Sequence, residues 1–144
     1  MIRIKEDHRN KRTFISIDDA PKRIRQGARI ALTEIGRENV VHTKGLIMKP
    51  PKTGKFYRFK GGIHRASAPG QPPANRSGAL LSSTRFRVYG WHRMEFGYHA
   101  PYGKYLEDGT SKMEARPALS RTVLEKRRDN YNSIEKNTGK LIIK

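Results

Sequence analysis

Residues 82–99 read SSTRFRVYGWHRMEFGYH, and this stretch decides the fold. From Ser82 to Tyr89 apolar and basic positions alternate, with Phe86 and Val88 on one side and Arg85 and Arg87 on the other. A period of two marks a strand with one buried face. Gly90-Trp91-His92-Arg93 interrupts the pattern as a turn, and Met94 to His99 resumes it with Met94, Phe96 and Tyr98 aligned. The expectation is an antiparallel hairpin.

Outward from the hairpin, two stretches carry the helical period instead. Asp18-Asp19-Ala20-Pro21 reads as a helix start, with a carboxylate to cap free amides and a proline suited to the first turn. Ile24, Ala28, Ala31, Leu32 and Ile35 then form an apolar stripe, and Arg23, Arg25, Arg29, Glu34 and Arg37 lie largely off it. This helix is expected to run to about Thr43, or a turn beyond, before Pro50-Pro51. Gly27 and Gly36 inside it each cost about 1 kcal/mol relative to alanine, and mark close packing against another backbone. A last helix is expected from Arg116-Pro117, with Leu119, Val123, Leu124, Tyr131 and Ile134 on its apolar side, ending at Asn137-Thr138-Gly139. Residues 1–17 read as an extended lead-in with one or two short strands, and 138–144 as a C-terminal tail. Tyr102 to Glu107 is a short segment before a turn at Asp108-Gly109-Thr110. The whole is expected to be one α+β domain over 1–144: a small antiparallel sheet packed with an N-terminal and a C-terminal helix, plus a long basic Pro/Gly-rich loop.

That loop holds much of the charge. The 144 residues contain 31 Lys and Arg against 13 Asp and Glu, a net charge of +18. No carboxylate occurs between Glu38 and Glu95, a stretch with eleven lysines and arginines and five of the eight prolines. Residues 48–77 are read as a basic arm, with a short strand at Phe56-Tyr57-Arg58-Phe59. Such charge calls for a polyanionic partner, nucleic acid or an acidic protein surface. Lys49, Lys52, Lys55, Arg58, Lys60 and Arg65 are the arm's candidate contact residues for DNA or an acidic partner. Rings interleaved with cations at 55–60 suit base stacking with phosphate contact, and equally a short strand with a wet basic face.

Several classes are not expected. No cysteine is present, so disulfides and thiolate metal sites are excluded. No apolar run approaches the roughly 18 residues of a membrane helix. The start, MIRIKED, lacks the apolar centre of a secretory signal. His8, His42, His64, His92 and His99 show no metal-ligand spacing, although His92 and His99 would face one another across the hairpin. The serines lack a nucleophile elbow, the glycines make no phosphate loop, and the carboxylates do not cluster for a divalent metal. Neither a catalytic residue, a metal site nor a cofactor is expected.

Two stretches carry a resemblance. Residues 66–83, ASAPGQPPANRSGALLSS, and residues 102–119, YGKYLEDGTSKMEARPAL, resemble paired motifs of the neck and tail-completion proteins of long-tailed double-stranded DNA phages. The matching positions include Gly78, Leu80, Tyr102, Tyr105, Glu107, Gly109, Thr110, Arg116 and Pro117. Arg76-Ser77-Gly78 stands where Asp-Thr-Gly is usual, Gly103 where alanine is common and Ala118 where phenylalanine is common. The resemblance covers residues 57–125.

It implies a structural virion protein that forms a ring, with six copies as the expected number, completing the tail and joining it to the DNA-filled head. The implied partners are further copies of itself, the tail tube or tail terminator protein, the head-closure or connector protein, and genomic double-stranded DNA in the lumen, with no membrane. The implied location is the virion neck or tail, after assembly in the host cytoplasm. A tail terminator or a head-closure ring is the alternative within that class. A free, sequence-non-specific DNA-binding protein is the alternative outside it. Gly78 and Gly109 suit tight turns. Glu107 and Arg116 are expected to pair across the Gly109 turn, and Tyr102 and Tyr105 to anchor the connection under the sheet.

Overall fold

The alternation at 84–98 closes as an antiparallel hairpin in which Phe86 pairs with Phe96 and Val88 with Met94. The computed structural model describes residues 2–7, 12–17, 21–49 and 52–139. In chain order these form β1 (Ile2–Asp7), β2 (Arg12–Ile17), α1 (Lys22–Met48), β3 (Phe56–Phe59), β4 (Gly62–Arg65), α2 (Ala79–Ser83), β5 (Thr84–Tyr89), β6 (Arg93–Tyr98), α3 (Gly103–Asp108), α4 (Leu119–Glu125) and α5 (Arg127–Thr138). The chain is thus α+β. One sheet has the order β1-β2-β6-β5, and a separate two-stranded sheet pairs β3 with β4.

The expected lead-in is more than that. β1 and β2 pair antiparallel, and β2 continues onto β6, with Ile15 opposite Met94 and Thr13 opposite Phe96. Half of the main sheet therefore comes from the first seventeen residues. The Asp18-Asp19 cap and the 140–144 tail lie outside the described residues.

The 27-residue α1 ends later than Thr43, at Met48. Its buried positions, among them Ala28, Ala31, Leu32, Ile35, Asn39, Thr43 and Ile47, recur every three or four residues as the stripe requires. They meet Met94, Phe96 and Tyr98 of β6 and Ile134 of α5 in a single core. Side chains such as Leu32, Ile35 and Phe96, at 1% exposure or less, contribute roughly 1.5–3 kcal/mol each, so the α1–sheet layer dominates the fold. Both α1 glycines sit where a side chain has no room. A Cβ at Gly27 would lie 1.9 Å from the Asn137 carbonyl oxygen of α5, and one at Gly36 would lie 2.2 Å from the Phe86 ring. Close backbone packing holds for Gly27; at Gly36 the neighbour is a ring.

The last helix differs from expectation in three ways. It begins at Leu119 rather than at Pro117: residues 116–117 stay outside the helix, and the Arg116 amide donates to the Leu106 carbonyl of α3 at 2.6 Å. It is interrupted at Lys126, whose φ of −92° and ψ of 2° leave helical geometry between α4 and α5. There the Lys126 ammonium reaches Asp129 at 2.6 Å and Glu38 of α1 at 3.7 Å. Finally, Leu124 is 73% exposed, and the fully buried position of α4 is Thr122.

Residues 52–77 of the expected arm are folded rather than a plain loop. The β3–β4 ladder is extended by Gly54 and Lys55 bonding with Ala66. Beyond it, the Gln71 side-chain oxygen accepts from the Thr53 and Ala68 amides at 3.1 and 3.0 Å. Pro72 and Pro73 are buried, so the proline run packs onto the domain.

Candidate functional site

The two motif stretches, separated by nearly twenty residues, meet at one corner. The Gly70 amide of the first donates to the Ala115 carbonyl of the second at 2.9 Å. Gly78 precedes α2 with φ of 76°, and its amide donates to the Asn75 side-chain oxygen at 3.0 Å. A side chain there would meet open space, so the positive φ alone calls for glycine. Leu80, two residues on, is buried in the core. Gly109 is constrained twice: its φ is 76°, and a Cβ would lie 2.7 Å from the Met113 carbonyl oxygen. The turn it opens is closed by paired backbone bonds between Thr110 and Met113.

Glu107 does not pair with Arg116. Its carboxylate caps the first turn of α4: Oε1 accepts from the Ala118 and Leu119 amides, both at 2.8 Å. Oε2 accepts from the Ser120 amide at 3.4 Å and the Ser120 hydroxyl at 3.2 Å. A carboxylate is favoured there because the opening turn of a helix has free N–H donors and no intrahelical acceptors. Nearby, burial and then the Glu107 charge hold the Tyr98 hydroxyl above its ordinary pKa. Arg116 is left with its Nε buried and without a hydrogen-bond partner among the described residues. Pro117 is half-buried just before the capped turn.

Tyr102 and Tyr105 do not anchor under the sheet either; they are 42% and 56% exposed. In the six-residue α3 the inward positions are Gly103 and Glu107, one turn apart. Gly103 lies so close to Tyr98 that a Cβ would be 2.6 Å from the Tyr98 Cβ.

Between this corner and the β3–β4 hairpin runs a cleft of about 1350 Å³. Its apolar lining includes the buried Ala66, Pro73 and Leu80, with the partly buried Leu106 and Met113 and the exposed Pro69. Tyr57, Phe59 and His64 line it from the hairpin, and Tyr102 and Thr110 from the corner. Tyr57 and Phe59 occupy alternate positions of β3, with His64 opposite Tyr57. Four cations, Lys55, Arg76, Lys112 and Arg116, line the same space together with the backbone at Arg58. Glu114 is the one carboxylate among the described lining residues. The Arg76 guanidinium stands 4.5 Å from the Phe59 ring centroid, an arrangement that presents a charge on an aromatic surface.

The six arm residues divide accordingly. Lys55 and Arg58 line the cleft, and Lys60 is exposed at the hairpin turn. Arg65 lies over Phe56 at 4.9 Å on the outer face, its Nε donating to the Gly54 carbonyl at 3.3 Å. Lys49 follows α1 as its C-cap. Lys52 turns back instead, its ammonium donating to the Leu46 carbonyl at 2.9 Å, and burial followed by Arg121 lowers its pKa. Arg76, Lys112 and the freed Arg116 were not among the arm candidates. The ring-rich run Phe56–Phe59 and the Ile63-containing run beyond it, separated by Lys60-Gly61, were the signal that would have turned the loop into a hairpin.

A second constellation has the outline of a catalytic relay. His42 Nδ1 lies 3.3 Å from the Thr122 hydroxyl, and its Nε2 lies 3.2 Å from Glu125. Thr122 is fully buried, however, and its hydroxyl also meets Thr43 Oγ1 at 2.8 Å. The group stitches α1 to α4. His92 and His99 flank opposite ends of β6, about 20 Å apart along a strand, and do not face one another. Among the described residues no group of three His, Cys, Asp or Glu could hold a metal ion, and no helix is long and apolar enough to cross a membrane. Comparison with protein-family models, curated proteins and solved structures returned no match for the chain.

Proposed function

We propose that the chain is a non-catalytic structural virion protein of a long-tailed double-stranded DNA phage, assembled as a ring in the neck or upper tail to complete the tail and join it to the head. The observation that carries this reading is the meeting of the two motif stretches at one corner, tied by the Gly70–Ala115 bond and the Glu107 cap. Gly78, Leu80, Glu107 and Gly109 each have a structural duty there, as parts of an assembly scaffold would. The exposed Phe56, Tyr57 and Ile63, between 54% and 66% accessible, give a hairpin with uncovered apolar side chains on both faces. Such a patch fits a subunit whose surface is completed by neighbours. Ring contacts are heterologous, one surface on each copy meeting a different one on the next. The partners in this reading are further copies, a tail tube or terminator protein, a head-closure or connector protein, and DNA in the lumen.

The test is electron microscopy of the purified protein alongside filter binding to duplex DNA at physiological salt. Six-fold rings with weak, strongly salt-dependent DNA binding are the expected outcome. Tight DNA binding by a monomer overturns the reading in favour of a free DNA-binding protein, the alternative that the +18 charge favours.

A further inference from the structure

We infer that the cleft between the β3–β4 hairpin and the Gly109 corner is a peptide site, which takes an extended acidic segment with apolar side chains from a partner protein. This deepens the reading above by naming what the partner presents, and it rests on the partner-docking half of that reading.

Three observations carry it. The first is charge: Lys55, Arg76, Lys112 and Arg116 line the cleft together with the backbone at Arg58, against a single carboxylate at Glu114. The ligand is therefore an anion of several charges. The second is the floor. Buried Leu80 and Pro73 and partly buried Leu106 and Met113 make it apolar, and the rings of Tyr57 and Phe59 also line the cleft. Aliphatic and proline side chains at the centre of a basic site are the anatomy of a protein contact, whereas duplex-DNA interfaces are more polar and single-strand sites rely on open rings. Of the rings that line the cleft, Phe59 already carries the Arg76 guanidinium at 4.5 Å, while Tyr57 and Tyr102 are exposed to a partner's apolar side chains. The third is unmet hydrogen bonding. The Ser67 hydroxyl, at 1% exposure, and Arg116 Nε both lack partners among the described residues, and both residues line the cleft. Groups of this kind are costly when left alone, and an oxygen acceptor in the cleft would meet them, directly or through an ordered water.

The test uses the full chain and a fluorescein-labelled dodecapeptide of alternating aspartate and leucine. Its controls are the same peptide with lysine for aspartate and a labelled thymidine dodecanucleotide. In fluorescence anisotropy at about 150 mM salt, the acidic peptide should bind at least about tenfold more tightly than either control. The double variant Arg76→Gln with Lys112→Gln should weaken it by about tenfold, and Tyr57→Ala by several-fold; all three side chains are exposed, so the fold should survive. Tighter binding of the nucleotide overturns the proposal, as does an acidic-peptide affinity unmoved by these variants. Mass photometry of the same samples separates the two readings. Rings without peptide binding overturn the peptide site alone, and peptide binding without rings supports the site while overturning the ring.

Discussion

Replacing Glu107 by alanine removes the acceptor of two buried amides, those of Ala118 and Leu119, and the partner of Ser120. A buried donor left without an acceptor costs about 1–3 kcal/mol. Loss of a negative charge beside the first turn of a helix adds about 0.3–1 kcal/mol. Together these give an expected loss of about 2–7 kcal/mol, a large share of the roughly 5–15 kcal/mol that holds a domain together. Glu107→Gln keeps the shape and one acceptor oxygen, and should cost about 1–2 kcal/mol. Urea unfolding followed by the fluorescence of Trp91, the single tryptophan, measures both. At about 3 °C per kcal/mol, the melting temperature of the alanine variant should fall by about 6–20 °C. A double-mutant cycle with Arg116→Met should give a coupling below about 0.5 kcal/mol, since the carboxylate serves the amides and not the guanidinium. A loss under about 1 kcal/mol for Glu107→Ala, or a large coupling to Arg116, refutes the capping role.

Other perturbations follow from the same geometry. Gly109→Ala meets both an unfavourable φ and the Met113 carbonyl, and should cost about 3 kcal/mol or more; Gly78→Ala, with only the φ to oppose it, should cost about 1 kcal/mol in the same thermal melts. Gly27→Ala should push α5 off α1 and destabilise strongly, whereas Gly45→Ala, with nothing within 4 Å, should stabilise by about 0.5–1 kcal/mol. The Glu125 carboxyl is held low by its bond to Arg121, and that of Asp129 by its bond to Lys126. Because the native values are depressed, these groups stabilise fully above about pH 5 and lose that effect as pH falls through the native values. Glu125→Gln with Asp129→Asn should therefore lower stability at neutral pH and converge with the parent near pH 2, read by urea midpoints across that range.

What was legible in the residues was what repeats locally. Phe86, Val88, Met94 and Phe96 declare a buried sheet face by alternation, and Ala28, Leu32 and Ile35 declare a helix stripe, because burial on one side imposes a period. Pairing between distant strands leaves no such trace. Nothing in Phe14-Ile15 says that its neighbour is Met94, so the N-terminal strands read as a lead-in. Residue type also misled at the corner. Tyrosines at 102 and 105 look like anchors, yet it is Gly103 and Glu107, four apart, that face inward. The cap on α4 comes from a side chain eleven residues upstream of Ala118, beyond the reach of any local capping pattern. The cleft was half legible: the cations of the arm were plain, but Arg76, Lys112 and Arg116 join them only through the fold.

The pairing of β2 with β6 has a consequence for how the chain is made. Met94 leaves the ribosome about eighty residues after Ile15, its partner, which at ordinary elongation rates is a wait of roughly 4 to 16 s. During that interval α1 can form from its own local bonds, but its stripe has no sheet to cover it. The β1–β2 ribbon, two strands alone, is marginal in water. The nascent chain is therefore most vulnerable to association before residue 98 emerges, and its arginine- and lysine-rich middle, arriving in that window, keeps neighbouring chains apart by charge until the sheet can close.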